Sequence, residues 1–177
     1  MLKSERIILR LMLQEDVARQ HEFNQDVELY GLMNRYPSVS TLEMAQTFFE
    51  MRNKADNNIA PFAIEAERKY IGHCSLSGIE DRHGNARLEI LIGDRDYWGK
   101  GCGREAVRLL LDYAFRQLGL RRIELTTHVK NLRALRCFEA CGFIEECRPR
   151  KEFWFDGAYI DMVKMSILCD EWQMGRA

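Results

Sequence analysis

Hydrophobic and polar positions in the first third of this 177-residue chain follow first a strand pattern and then a helical one. The predicted elements are a strand at 6–11, a helix from Gln14, a short helix at 27–32 and a helix through Phe48, Phe49 and Met51. Tyr36-Pro37-Ser38 is a predicted break, and Ser40 or Thr41 is placed to cap the helix that follows it.

The middle of the chain has a strand pattern. Apolar residues predict strands at 61–65, 70–79 and 88–92, with turns around Arg68-Lys69 and at 81–85. Strands joined by short turns pair as hairpins. This part of the chain therefore predicts a mostly antiparallel sheet.

From residue 103 the period becomes helical again. The apolar positions of the helix predicted at 103–118 are Ala106, Leu109, Leu110, Tyr113, Ala114 and Leu118, and Gly119 is placed to end it. The later elements are a strand at 122–128, a helix from its cap Asn131 to Cys141 and Gly142, a strand from Phe143, a hairpin turn at Asp156-Gly157 and a strand at 159–168. This order predicts one α/β (α+β) domain spanning 1–177, in which a mixed sheet is flanked by helices.

Composition narrows the class of protein. Hydrophobic residues make up 46% and charged residues 30%, which is typical of a globular domain. The 26 Lys and Arg nearly balance the 27 Asp and Glu, so charge gives no reason to expect general binding to nucleic acid or to a membrane surface. Charges interrupt every window long enough to span a bilayer, and the N-terminus does not resemble a signal peptide. We expect a cytoplasmic protein.

The six cysteines and four histidines are scattered along the chain. A zinc site needs four such ligands at suitable spacing, and Cys137 with Cys141 supplies only two. We therefore expect free, mostly structural thiols and no metal site.

The segment 97–106 is the most informative part of the sequence. It carries Gly99, Gly101 and Gly103 between a strand and an amphipathic helix, with Lys100 and Arg104 beside them. Glycines allow a close backbone approach and a helix start attracts anions, so the segment suits a phosphate or pyrophosphate. The spacing fits neither a P-loop nor a dinucleotide fingerprint, which disfavours a nucleotide binder. A tight turn without a ligand is the alternative.

Two motifs resemble those of the GCN5-related N-acetyltransferase (GNAT) superfamily. Residues 98–103 follow its pattern [Q/R]-x-x-G-x-[G/A], with Trp98 in place of Gln or Arg. The pattern N-x-x-[AS]-x-x-x-[YF]-E-x-x-G-F appears as Asn131, Ala134, Phe138, Glu139, Gly142 and Phe143. The opening residues 6–10 with Glu15-Asp16, and the closing segments 157–161 and 165–168, are similar to the branch of ribosomal-protein alanine and spermidine N-acetyltransferases.

The resemblance implies a fold and a cosubstrate. The fold is a mixed, mostly antiparallel sheet of six to seven strands with about four helices, in which the family's β4–β5 pair, here 88–92 and 123–127, splays apart. The cosubstrate is acetyl-CoA, with its pantetheine arm beside the splayed strand and its pyrophosphate on the glycine loop. The residues so implied are Leu91, Ile92, Gly93, Trp98, Gly99, Lys100, Gly101, Cys102, Gly103, Arg104, Asn131, Ala134 and Phe138. We expect Trp98 to pack beside the loop.

The implied chemistry is direct acetyl transfer to a neutral amine, which requires a proton acceptor. Glu89 is the first candidate for the base, because alternation places it opposite Leu88 and Ile90 on the strand beside the thioester. The alternatives are a water chain, His73, Glu80 and His128. Many relatives have a tyrosine general acid where this chain has Phe138. No histidine is placed to activate Cys102 or Cys137 as a nucleophile.

Specificity for the acceptor is expected from 24–38, the closing hairpin and the strand containing His73. A polyamine site needs several carboxylates, and Arg35 would repel a polycation. We therefore expect a peptide or protein N-terminal amine. A polyamine, an amino sugar or an antibiotic is the alternative acceptor, and a non-catalytic acetyl-CoA-binding module is the alternative function. Either a monomer or a homodimer is compatible with the sequence.

Overall fold

A computed structural model of the protein describes residues 1–35, 40–52 and 58–174, without the side chains of Phe48, Met51 and Arg52. Its first elements are β1 (Leu2–Lys3), β2 (Ile7–Arg10), α1 (Asp16–Gln25), α2 (Val27–Leu32), α3 (Leu42–Arg52), β3 (Ile59–Ala66), β4 (Lys69–Glu80) and β5 (Asn85–Ile92). The remaining elements are α4 (Cys102–Asp112), β6 (Arg122–His128), α5 (Leu132–Glu139), β7 (Ile144–Cys147), β8 (Phe153–Phe155), β9 (Ala158–Ile160), β10 (Met162–Leu168) and α6 (Cys169–Met174).

The main sheet has eight strands in the order β1-β2-β3-β4-β5-β6-β10-β7. Its neighbours pair antiparallel, except that β5 runs parallel to β6. Strands β8 and β9 form a separate antiparallel hairpin. The predicted mixed, mostly antiparallel sheet is confirmed, with one more strand than expected and with six α-helices in the described chain instead of about four.

Helices cover both faces of the sheet. Helix α4 packs against β2, β4 and β5, and its buried Ala106, Val107 and Leu110 belong to the larger hydrophobic cluster. A smaller cluster on the other face contains Phe23 of α1, Leu29 of α2 and Leu91 of β5. Because side chains alternate along a strand, β5 contributes Leu88 to the larger cluster and Leu91 to the smaller one.

Most predicted element boundaries agree with the structure. Thr41 caps α3, since its Oγ1 accepts a hydrogen bond of 3.2 Å from the amide of Met44. The predicted helix at 103–118 is α4 followed by a π-helical turn at Tyr113–Gln117, and Gly119 ends it with φ of +67°. The predicted break at Tyr36-Pro37-Ser38 lies outside the described residues.

Three predicted boundaries were wrong. Strand β5 begins at Asn85, three residues before the strand predicted at 88–92 and within the turn predicted at 81–85. The β3–β4 turn is centred on Glu67 and Arg68, with φ of 52° and 63°, one residue before the expected position. The strand predicted at 159–168 is interrupted at Asp161. The Asp161 side chain accepts from the amide of Lys151 at 2.8 Å and its carbonyl accepts from Val129 at 3.1 Å, so this residue bonds to two loops and not to a strand neighbour.

Within the described part of the chain, no helix combines the length and the apolar content needed to span a membrane. In the same residues, no three His, Cys, Asp or Glu side chains are grouped so that they could hold a metal ion.

Candidate active site

The site begins where β5 and β6 separate. Three parallel pairs join the strands, and the last is Arg87 with Glu124. Both strands are described in full, and beyond that pair β5 continues to Ile92 and β6 to His128 without further pairing. The expected splay is therefore present, and it leaves one edge of β5 without a strand neighbour.

A cavity of about 530 Å³ lies at this splay, and we call it the splay cavity. It contains most of the residues that the resemblance implied in cofactor binding: Leu91, Ile92, Trp98, Gly99, Gly101, Gly103, Arg104, Asn131, Ala134 and Phe138. Side chains from β5, the glycine loop and α5 therefore converge on one space.

Three of the implied residues lie outside the lining of the splay cavity. The amide of Gly93 donates to the carbonyl of Ile71 at 2.9 Å, so this N–H already has a partner. Lys100 and Cys102 lie beside a neighbouring depression, and Cys102 is buried at the start of α4. Burial raises the pKa of the Cys102 thiol, which keeps it neutral and argues against a nucleophilic role.

The glycine loop has the backbone form of an anion cradle. Gly99 and Gly101 have φ of +72° and +88°, a region that glycine enters without strain. Gly101 is the N-cap of α4, so the first amides of that helix point toward the loop. Arg104 adds a cation to the cavity lining. These features fit the pyrophosphate of acetyl-CoA.

Glu105 fastens the first turn of α4 to the N-terminal strands. Its carboxylate accepts from the hydroxyl of Ser4 at 2.6 Å and from the backbone amide of Arg6 at 3.1 Å. Burial opposes ionisation of Glu105, but these hydrogen bonds outweigh burial and lower its pKa. Arg6, in the opening motif, therefore supports the glycine loop.

Trp98 packs against the smaller hydrophobic cluster, and it also makes a polar contact. Its indole Nε1 donates to the carbonyl of Ile92 at 2.6 Å. The guanidinium of Arg133 lies 3.5 Å from the centroid of the indole, and that of Arg95 lies 5.4 Å from it. The sequence analysis missed Arg133, whose position two residues after Asn131 in the second motif was the available signal.

Asn131 uses both ends of its side-chain amide within the protein. Its Oδ1 accepts from the amide of Ala134 at 3.2 Å and thereby caps α5. Its Nδ2 donates to the carbonyl of Leu32 at 3.3 Å. Leu32 and Met33, in the segment 24–38 from which acceptor specificity was expected, also line the splay cavity. Asn131 therefore connects the cavity wall made by α5 to the one made by α2.

Phe138 is buried and packs against Phe143, with ring centroids 5.8 Å apart. It brings no hydroxyl to the cavity. The neighbouring Cys137 also lines the splay cavity. A hydrogen bond with Cys141 lowers the pKa of Cys137 and exceeds the opposing effect of burial, and the positive charge of Arg104 lowers it further.

A second cavity of about 410 Å³ adjoins the first, and we call it the side groove. The residues that line both are Leu32, Met33, Ile90, Asn131, Ala134 and Phe138. Glu89 lines the side groove, with its Oε2 2.9 Å from Nη2 of Arg35. Glu152 lies on the same groove, 3.6 Å from Nζ of Lys164.

The other candidate bases lie outside the linings of both cavities. His73 pairs with Leu91 across the β4–β5 ladder, and Glu80 is at the far end of β4. His128 is buried against Phe155, with ring centroids 5.3 Å apart. Burial lowers the pKa of His128, which agrees with a structural role.

Comparison with known proteins shows which proteins this chain is similar to. A family model described as an acetyltransferase (GNAT) domain matches residues 6–144. A spermidine N(1)-acetyltransferase of Vibrio cholerae is 32% identical over 170 residues, or 93% of this chain and 94% of that protein. A putative ribosomal N-acetyltransferase of Bacillus subtilis is 30% identical over 122 residues, or 69% of this chain and 66% of that protein.

A solved structure is similar over nearly the whole chain. It is the crystal structure of spermidine N-acetyltransferase from Vibrio cholerae in complex with CoA and spermine. The TM-score is 0.88 at 27% sequence identity, and the likeness covers 96% of this chain and 99% of that one.

Proposed function

Because the chain belongs to the GNAT acetyltransferase family and is an acetyl-CoA-dependent N-acetyltransferase, we propose that its acceptor is a polyamine such as spermidine. The observation that carries this proposal is the ion pair between Arg35 and Glu89 in the side groove. The names of the similar proteins support it, since a spermidine acetyltransferase matches the chain over nearly its full length.

The expectation of a peptide amine rested on the positive charge of Arg35. That charge is already paired with a carboxylate, so it is a weaker barrier to a polycation than the sequence suggested. The groove also contains two carboxylates for ammonium groups, Glu89 and Glu152, each paired with an exposed cation of the same groove that an ammonium group would replace. The comparisons therefore favour the polyamine alternative over the peptide amine.

Bound acetyl-CoA supplies an activated acetyl thioester for the amine to attack. In the proposed arrangement the glycine loop and Arg104 hold the phosphates, and the pantetheine arm lies beside Leu91 and Ile92, where β5 has no strand neighbour on the β6 side and the Ile92 carbonyl already accepts from Trp98. Gly93 shapes the end of the strand, since its amide is bonded to Ile71. Asn131, Ala134 and Phe138 form the opposite wall.

The acceptor amine must lose a proton before or during attack, since its ammonium form has no lone pair. The proton can leave the side groove by two routes. One is the carboxylate of Glu89, and the other is water that connects the groove to bulk solvent. Phe138 has no proton to give to the leaving thiolate. A thiolate is a tolerable leaving group, so the proposed reaction proceeds without a tyrosine at this position.

The test supplies acetyl-CoA with three separate pools of acceptor and measures CoA release by chromatography. The pools are polyamines, short peptides with free N-termini, and aminoglycosides with amino sugars. Turnover of the polyamine pool, confirmed by the mass of the acetylated product, is the expected result.

Other outcomes decide between the alternatives. Turnover of peptides alone would show that the acceptor is a peptide N-terminal amine. Turnover of the aminoglycosides and amino sugars alone would indicate an amino sugar or antibiotic as the acceptor. Tight binding of acetyl-CoA with no turnover of any pool would favour a non-catalytic module.

A further inference from the structure

The end of α2 aims Arg35 at β5. Asn34 adopts φ of +56°, the left-handed conformation that often ends a helix. The amide of Arg35 donates to Tyr30 at 3.1 Å and that of Asn34 to Gly31 at 3.0 Å, which together form a Schellman motif. The Asn34 side chain then donates to the carbonyl of Thr126 at 3.1 Å, so the turn is fastened to β6.

Glu89 forms an ion pair with Arg35 at the point where β5 begins to separate from β6. It lies two residues beyond Arg87, the last β5 residue paired with β6, on the strand face opposite Leu88. Both members of the pair are accessible to water, since Arg35 is 53% and Glu89 33% exposed. Ion pairs this exposed are weak, so another cation can replace Arg35 with little loss.

We propose that Arg35 determines acceptor specificity by occupying Glu89, so that an acceptor binds by replacing the Arg35 guanidinium with one of its own ammonium groups. This inference rests on the proposed polyamine function. The amine that attacks the thioester must be neutral, so the ammonium at Glu89 is a different, non-reacting one. The acceptor therefore carries at least two amino groups, and its proton leaves through water and not through Glu89.

Glu152 provides a second position of the same kind. Its carboxylate lies 3.6 Å from Lys164, a longer and weaker contact than the one between Arg35 and Glu89. A third amino group, as in spermidine, can pair with Glu152 when the second replaces Arg35.

The test measures KM and kcat for spermidine with Arg35→Gln, Glu89→Gln and the double variant. Arg35→Gln removes the competitor, and we expect KM to fall about two- to fivefold with little change in kcat. Glu89→Gln removes the exposed carboxylate for which Arg35 and the ammonium group compete, and we expect KM to rise about two- to fivefold with kcat retained. In the double variant we expect the same KM as in Glu89→Gln alone, because the Glu89 carboxylate for which Arg35 competes is no longer present.

Arg87→Gln is the matched control. Arg87 is an exposed arginine on the same groove, but its partner is Glu124, at 3.4 Å. If Arg87→Gln lowers KM as much as Arg35→Gln does, the effect belongs to the overall charge of the groove and the inference is wrong. A monoamine acceptor is the second control, since without a second ammonium group it gains nothing from Arg35→Gln.

Failure of the inference can be separated from failure of the proposed function. If the wild-type chain acetylates polyamines and KM is unchanged in Arg35→Gln, the function stands and the inference falls. A large loss of kcat in Glu89→Gln assigns Glu89 to proton transfer and also overturns it. If the wild-type chain acetylates no polyamine, the proposed function fails; polyamine turnover gained in Arg35→Gln would then support the inference, and continued inactivity would overturn it.

Discussion

The indole N–H of Trp98 donates a hydrogen bond of 2.6 Å to the carbonyl of Ile92, the last residue of β5. It joins the start of the glycine loop to the end of the splayed strand. Arg133 of α5 lies over the same indole at 3.5 Å, so one side chain connects three walls of the splay cavity. Where the family pattern has a polar residue, this chain uses a ring with a single donor.

Trp98→Phe keeps an aromatic ring and removes the donor. We expect KM for acetyl-CoA to rise about two- to tenfold, because the net value of one hydrogen bond is about 1 kcal/mol. Steady-state kinetics at a fixed acceptor concentration give this value. Trp154→Phe is the control, since Trp154 is 43% exposed on the β8–β9 hairpin. Equal KM values for Trp98→Phe and the wild-type chain would show that the hydrogen bond does not support cofactor binding.

Much of the fold could be predicted because its elements carry strong local patterns. Strand β6 and helix α2 have the predicted bounds, and Asn131 caps α5 as expected. The elements that were missed have no such pattern. Strand β1 has two residues, and α6 is a single short helix held by the bond from the indole of Trp172 to Asp112 at 3.2 Å. Long-range contacts of this kind leave little trace in a local sequence window.

The candidate site was predicted in part, because two motifs marked the glycine loop and α5. The pairing of Arg35 with Glu89 joins residues 54 positions apart and could not be deduced from either motif. Arg35 was interpreted as a free charge for that reason. The partner of a charged side chain depends on the tertiary fold, so charge arguments from sequence alone misjudge grooves of this kind.

Asn131 has two roles that one pair of variants can separate. Asn131→Asp keeps an oxygen to cap α5 but loses the donor to Leu32. We expect near wild-type thermal stability with weaker acetyl-CoA binding by calorimetric titration. Asn131→Ala loses both contacts, and we expect an additional loss of about 1 kcal/mol of folding free energy. Equal stability of the two variants would contradict the capping role.

The opening motif contains a buried ion pair that we expect to be essential for stability. Asp16 is 3% exposed and accepts from Arg10 at 2.6 Å and 2.9 Å, and Arg10 also contacts Glu65. Asp16→Asn leaves the Arg10 charge partly unpaired in a buried setting, and we expect a loss of about 3 kcal/mol in urea unfolding. Glu22→Gln removes an exposed pair with Arg19 and should change stability by less than about 0.5 kcal/mol. Similar losses in both variants would rule out a special role for burial.

Glu146, on the edge strand β7, should make the free energy of unfolding depend on pH. Hydrogen bonds from Arg122 and then Ser166 lower the pKa of Glu146 from its ordinary value of 4.5 to about 2. Because the pKa is lower in the folded chain, the stabilisation is complete above about pH 4.5 and is lost as the pH falls toward about 2. Glu146 is 43% exposed, so water screens the pair and we expect no more than about 1 kcal/mol.

Glu146→Gln should be less stable than the wild-type chain at pH 7, and the difference should shrink in thermal melts at pH 3. Glu80→Gln, at the exposed glutamate that ends β4, is the control for the loss of a surface carboxylate and should melt with the wild-type chain at pH 7. A Glu146→Gln curve that runs parallel to the wild-type curve would show that the ionised carboxylate does not stabilise the folded chain.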